Sequence, residues 1–116
     1  MRTQFGGCHC GQVRFETVVD TTSAISCNCS FCTKHGGLLA IVPADHFRLK
    51  SDEAVLREYQ FGEKGIHHHF CGSCGIGSFL RGAMPDGSPM VAVNLRCVDG
   101  IDLSVITITP HEGLHA

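Results

Sequence analysis

The sequence has no run approaching the roughly 18 consecutive apolar residues that a membrane-spanning helix needs, although 43% of it is hydrophobic. A membrane partner is therefore not expected. It also lacks a strong charge of either sign: nine basic residues are scattered among eleven acidic ones, for a formal net charge of -2. Without a basic patch there is no electrostatic footprint for nucleic acid. The opening residues, Met1 to Gly7, carry no apolar core of a signal peptide and no cleavage signature, which leaves a cytoplasmic, reducing location as the expectation. Repeats, low-complexity stretches and linker composition are missing too, so residues 1–116 are expected to form a single domain. Such a chain can bury roughly two-thirds of its unfolded surface. Long amphipathic segments are also missing. Residues 43–47 could start one helical turn at Pro43, but little helix is expected.

What is present instead is strand character in short pieces between glycine-rich breaks, at residues 12–18, 38–42, 55–61, 66–70, 90–95 and 103–109. This predicts a mainly β fold. In Gln12-Val13-Arg14-Phe15-Glu16 the apolar residues alternate, which puts Val13 and Phe15 on one buried face.

The chain is also rich in cysteine, with eight thiols and fourteen glycines. In a reducing compartment such thiols are metal ligands in preference to disulfides. Two groups, Gly7-Cys8-His9-Cys10-Gly11 and Cys71-Gly72-Ser73-Cys74-Gly75, form knuckles that offer two sulfurs each. Together they make a closed tetrahedral site for structural zinc. Zinc binding to such a site is worth about 10–16 kcal/mol, against about 2–4 kcal/mol for a typical disulfide. A disulfide within Cys-x-Cys would also be strained.

A third group, Cys27-Asn28-Cys29-Ser30-Phe31-Cys32, offers three sulfurs. Three protein ligands with a free fourth position are the arrangement of a zinc ion that takes water or substrate, and an incoming thiol would be held there as a nucleophilic thiolate. Cys97 could supply a fourth ligand. It has no partner at knuckle spacing, however, and its place beside a strand favours a small buried thiol.

The histidines carry less. On a strand, His67 and His69 point one way and His68 the other, so the three cannot converge on one ion. Exposed or half-exposed strand histidines are expected, an acid–base role for one of them being the minor alternative. His9 should project away from Cys8 and Cys10, and His35 follows the third group closely enough to touch a site. Lys34, Arg81 and Arg96 read as solvated surface.

Four motifs in order, Gly7-Cys8-His9-Cys10-Gly11-Gln12-Val13-Arg14-Phe15, Cys27-Asn28-Cys29-Ser30-Phe31-Cys32, Phe70-Cys71-Gly72-Ser73-Cys74-Gly75 and Asn94-Leu95-Arg96-Cys97-Val98-Asp99-Gly100, span most of the chain. In these the sequence resembles the glutathione-dependent formaldehyde-activating family, whose relatives include centromere protein V. The resemblance implies a zinc-stapled β-tent built from small antiparallel sheets. It also implies structural zinc on Cys8, Cys10, Cys71 and Cys74 and a second zinc on Cys27, Cys29 and Cys32. Glutathione would meet formaldehyde near that second ion to give S-hydroxymethylglutathione. Cys97 is not among the usual ligands.

Three functions follow as expectations. The first is a carbon–sulfur lyase acting on glutathione or another small thiol and a small aldehyde, working through Cys27, Cys29 and Cys32. The second is a non-catalytic thiol carrier on the same site. The third is a protein interaction module, which the lack of a basic tail disfavours.

Overall fold

The alternation near the start of the chain is realised as a hairpin. In the computed structural model, which describes residues 2–61 and 65–111, β1 (Arg2–Gly7) pairs antiparallel with β2 (Arg14–Val19). Along β2, Phe15, Thr17 and Val19 are buried while Arg14, Glu16 and Val18 are only partly so, the period of two that a half-buried strand imposes. Val13 and Phe15 are both fully buried, as the sequence predicted. The buried Thr17 hydroxyl donates to the His46 carbonyl at 2.8 Å, so it incurs no desolvation penalty without return. β5 (Phe47–Leu49) completes a three-stranded sheet in the order β1-β2-β5. It leaves the single helical turn at Ala44–His46, which is the turn anticipated over residues 43–47.

The other strands are β3 (Ser23–Cys27), β4 (Leu39–Pro43), β6 (Leu56–Tyr59), β7 (His67–Cys71), β8 (Phe79–Ala83), β9 (Pro89–Asn94) and β10 (Thr107–His111). They form a seven-stranded sheet in the order β10-β3-β4-β9-β8-β7-β6. Its pairs are antiparallel except for β10 and β3, which run parallel. That is a departure from the all-antiparallel expectation. It is permitted because most of the chain separates the two strands, and a parallel pair needs a long connection rather than a hairpin turn.

The main core lies between the two sheets. Phe15 and Val19 come from one side, and Val42, Phe79, Val91 and Val93 from the other. Phe15 stacks on Phe47 with ring centres 5.3 Å apart and meets Phe79 edge-on at 6.4 Å. The central strand β9 is covered on both faces: Val91 and Val93 join this core, whereas Met90 and Ala92 pack with Leu39 on the far side. A strand covered twice reads as a continuous apolar run rather than an alternating one.

One short helix, α1 (Ser30–His35), was not anticipated. None of its residues is buried, so it shows no amphipathic stripe. Its ends make it. The Cys29 sulfur accepts the Cys32 amide as an N-cap, and Gly36, at φ 75°, closes the helix by donating to the Cys32 carbonyl.

Phe15→Ala should cost about 3–5 kcal/mol in urea unfolding of the metal-loaded protein, through the cavity left between the sheets. Ile108→Ala, at a half-exposed position on β10, should stay within about 0.5 kcal/mol. Equal effects at the two positions would contradict this placement of the core.

Candidate metal centres and the adjoining cavities

Cys8 and Cys10 follow β1 in the smaller sheet, and Cys71 and Cys74 sit at the end of β7 in the larger one. The two knuckles meet where the sheets come together, with all four sulfurs within 4.8 Å of one another. Cys8 and Cys10 are 3.6 Å apart, as are Cys10 and Cys71. Four sulfurs around a tetrahedral ion such as zinc, at about 2.3 Å from it, would be about 3.8 Å apart. The donor set therefore fits. Backbone amides also aim at the sulfurs: Val13 to Cys8 at 3.3 Å, Ser73 to Cys71 at 3.3 Å and Cys74 to Cys71 at 3.4 Å. Such donors offset the charge that four thiolates bring to one ion.

The same amides divide the thiols electrostatically. The Ile76 and Cys10 amides lower Cys74 to about 6, and the Cys74 and Ser73 amides lower Cys71 as well. Cys10 goes the other way: the Gln12 backbone favours its thiolate, but burial and the neighbouring sulfurs outweigh that and push it up to about 11. A cation would replace the protons shared among these sulfurs. Close backbone approach is required here. A side chain at Gly7 would run into the Val13 carbonyl, and the Cys8 amide donates to that same carbonyl at 3.1 Å.

Cys27, at the end of β3, and Cys29 and Cys32, around the start of α1, form the second cluster, again with all sulfurs within 4.8 Å. The Cys29 amide points at the Cys27 sulfur at 3.5 Å and the Cys32 amide at the Cys29 sulfur at 3.3 Å. Burial alone would raise Cys29, but the Cys32 and Phe31 amides and the two neighbouring sulfurs bring it below its usual value. Burial, with Cys29 and Cys27 beside it, pushes Cys32 well up. An all-sulfur set of three suits a soft ion with a further coordination position. All three residues are half-buried.

Two cavities reach α1, both through His35, although none of Cys27, Cys29 and Cys32 lines either of them. The first, of about 400 Å³, is lined by Phe31, Leu39, Tyr59, His68, Phe79 and Leu80 together with His35, Glu58, Gly77 and Asn94 among others. Phe31 lies next to Cys32 in α1, and Cys32 packs against the cluster of Leu39, Met90 and Ala92. The second cavity, of about 590 Å³, is lined by Cys8 of the four-sulfur cluster and by His9, His35, Arg96, Cys97 and Asp99 among others, and it shares His35, Gly75, Gly77 and Asn94 with the first. His35 thus stands at the junction. Partial burial pushes its pKa down, against a hydrogen bond to the Gly77 backbone that raises it. Asn94 is held from both ends of its amide: Nδ2 donates to the Gly77 carbonyl at 3.1 Å, and Oδ1 accepts the Leu38 amide at 3.3 Å.

The structure gathers the seven cysteines in the two predicted sets and leaves Cys97 outside both. Cys97 is half-buried rather than fully buried as expected, lines the second cavity, and has its thiol raised to about 11 by burial. His67, His68 and His69 do split across the sheet. The exposure expected of them fails, however, for His68 and His69, which are 6% and 8% exposed. His68 packs against Phe31 with ring centres 4.0 Å apart and against Phe61 at 5.2 Å. His69 lies on Phe79 at 5.1 Å. His67 forms an ion pair with Glu58 at 2.7 Å. Arg81 is tied to Glu53 at 2.9 Å. His9 is exposed and contributes to the second cavity wall.

The aromatic wall of Phe31, Tyr59, Phe61 and His68 was missed because its members come from three separate segments. Its nearest local signals are Tyr59 and Phe61, two residues apart, and the pairing of Tyr59 with His68 between β6 and β7. No helix among the described residues is long and apolar enough to cross a membrane.

The family model described as glutathione-dependent formaldehyde-activating enzyme matches residues 3–110 of the chain. Among solved structures, the crystal structure of a Rhodobacter sphaeroides protein is similar over 94% of this chain and 99% of that one, at 28% identity and a TM-score of 0.80.

Two outcomes test the site. Cys71→Ser, at the most buried of the four clustered sulfurs, should abolish cooperative thermal unfolding followed by circular dichroism; an unchanged midpoint would contradict a fold-setting metal site. Burial holds the His68 pKa below its usual value, so its contribution to stability is full above the unfolded value of about 6.5 and declines as pH falls below it. His68→Phe should therefore lose less in melting temperature between about pH 7 and pH 5 than the unsubstituted protein. Equal losses would show that His68 is not the buried neutral ring described.

Proposed function

This chain belongs to the glutathione-dependent formaldehyde-activating enzyme family, and from that premise we propose that it is a zinc-dependent carbon–sulfur lyase that joins glutathione to a small aldehyde. Zinc on Cys8, Cys10, Cys71 and Cys74 is structural in this reading, and zinc on Cys27, Cys29 and Cys32 serves the reaction. The observation that carries the proposal is the cluster of three sulfurs, whose Cys32 follows Phe31 and packs with Leu39, two residues that line the first cavity. An ion there would supply a position at which a fourth sulfur is held as thiolate, with three thiolates already making it a modest Lewis acid.

The remaining work falls to the chain itself. The Cys29 and Cys32 amides, donating to the sulfurs of Cys27 and Cys29, hold the three side chains in one geometry. The apolar wall of the first cavity keeps water from the carbonyl. In the addition, the substrate sulfur bonds to the carbonyl carbon, the C=O π pair moves to oxygen, and the oxygen takes up the proton that the thiol lost. The product is a hydroxyalkyl thioether, S-hydroxymethylglutathione when the aldehyde is formaldehyde, with no net oxidation. His35, a neutral ring at the cavity junction, is placed to pass that proton.

With glutathione and formaldehyde, exchange NMR should show adduct formation faster than the spontaneous rate, and Cys29→Ser should return it to that rate. A spontaneous rate with the intact protein would sink the lyase reading. Glutathione binding without acceleration would instead favour a thiol carrier.

A further inference from the structure

The first cavity is poorly matched to both named substrates. Among the described residues that line it there is no lysine or arginine, and the one charged side chain is Glu58. Glutathione carries two carboxylates, which Glu58 would repel and which nothing in that lining would pair. Formaldehyde has no apolar surface to set against Phe31, Leu39, Tyr59 and Leu80, and it would leave nearly all of the 400 Å³ unfilled. A cavity in the range of about 300–1,000 Å³ with apolar walls is of the kind that encloses a whole organic group.

The second cavity has the complementary character. Its charged side chains are Arg96 and Asp99. Asp99 is already engaged by Arg14, whose two terminal nitrogens fork onto it. Arg96 has no ion pair among the described residues, which leaves a guanidinium for a carboxylate. The two cavities meet at His35, Gly75, Gly77 and Asn94, and a Cβ at Gly77 would fall 2.5 Å from His35 Nε2, so the His35 ring is seated against bare backbone there.

Resting on the lyase reading above, we infer that the carbonyl partner is an apolar aldehyde, aromatic or branched, whose side chain fills the cavity of Phe31, Leu39, Tyr59, His68 and Leu80. The glutathione peptide lies toward Arg96 in the adjoining cavity. The bond-making step is the same: sulfur adds to the carbonyl carbon and the oxygen is protonated, giving a hemithioacetal with a bulky apolar substituent. Formaldehyde is then a small surrogate that gains nothing from the apolar wall.

The test is calorimetric titration of the zinc-loaded protein with S-benzylglutathione and S-methylglutathione, two stable analogues that differ only in the group offered to the apolar wall. S-Benzylglutathione should bind at least about tenfold more tightly, and Leu80→Lys should bring the ratio toward one. Phe31→Ala serves the same purpose should Leu80→Lys not fold. Equal affinities, or a preference that survives both substitutions, would overturn the inference, as would failure of both analogues to bind. A parallel NMR rate comparison of phenylacetaldehyde with formaldehyde separates the two claims. Acceleration with formaldehyde together with equal analogue binding would defeat the inference and leave the lyase reading standing. A benzyl preference without acceleration of either aldehyde would defeat the lyase reading and leave the apolar subsite standing.

Discussion

The convergence of four sulfurs at the meeting point of the two sheets is the constraint on which the rest of the structure depends. Cys8 and Cys10 belong to the turn of the β1–β2 hairpin, while Cys71 and Cys74 end β7, and the two knuckles are 61 residues apart between Cys10 and Cys71. Closing a loop of that length costs conformational entropy that grows only slowly with length. An ion bound at about 10–16 kcal/mol would exceed that cost several-fold. The polar contacts around the knuckles are minor by comparison. Ser73 donates to Gln12 at 2.9 Å across the junction, and Arg14 forks onto Asp99 at the surface, where ion pairs contribute about 0–1 kcal/mol. The apolar core between the sheets starts directly at the cluster, since Cys8 and Cys71 pack into it with Val13 and Leu56.

The two cysteine clusters differ in what they connect. The four-sulfur cluster joins separate sheets. The three-sulfur cluster joins only the end of β3 to the first turn of α1, within six consecutive residues. Its sulfurs are local, so an ion there does little for chain closure. Phe31 beside Cys32, and Leu39 against which Cys32 packs, line an apolar cavity, which meets at His35 a second cavity lined by Arg96. The buried histidines fit this picture as neutral aromatic wall. Burial, together with repulsion from neighbouring groups, holds the pKa values of His68 and His69 down.

Much of this was legible in the residues. Cysteine spacing separated the seven clustered thiols from Cys97, because a knuckle is a local device whose signature survives in one dimension. Strands with a buried face, such as β2, the central strand β4 and the buried run β9 were found within a residue or two of their ends. The missed elements carried weaker signals. β1 is glycine-rich and mostly exposed, β3 and β8 each have one fully buried residue, and β5 has three residues in all. α1 is set by a sulfur N-cap and Gly36 rather than by any periodic face. The aromatic wall was invisible for a different reason. Phe31 meets His68 and Tyr59 only after α1 has folded over the face that β6 and β7 present, so it exists as a tertiary arrangement alone. Exposure was misjudged at His68 and His69 because a polar residue type gives no sign that aromatic rings will cover it.

The functional account turns on whether the local cluster holds its own ion. Metal content of the purified protein, measured by mass spectrometry beside the Cys29→Ser variant, tests this most directly. The account predicts two zinc ions per chain in the intact protein and one in the variant, with the circular dichroism spectrum unchanged. A single ion in the intact protein, or two retained by the variant, would contradict it.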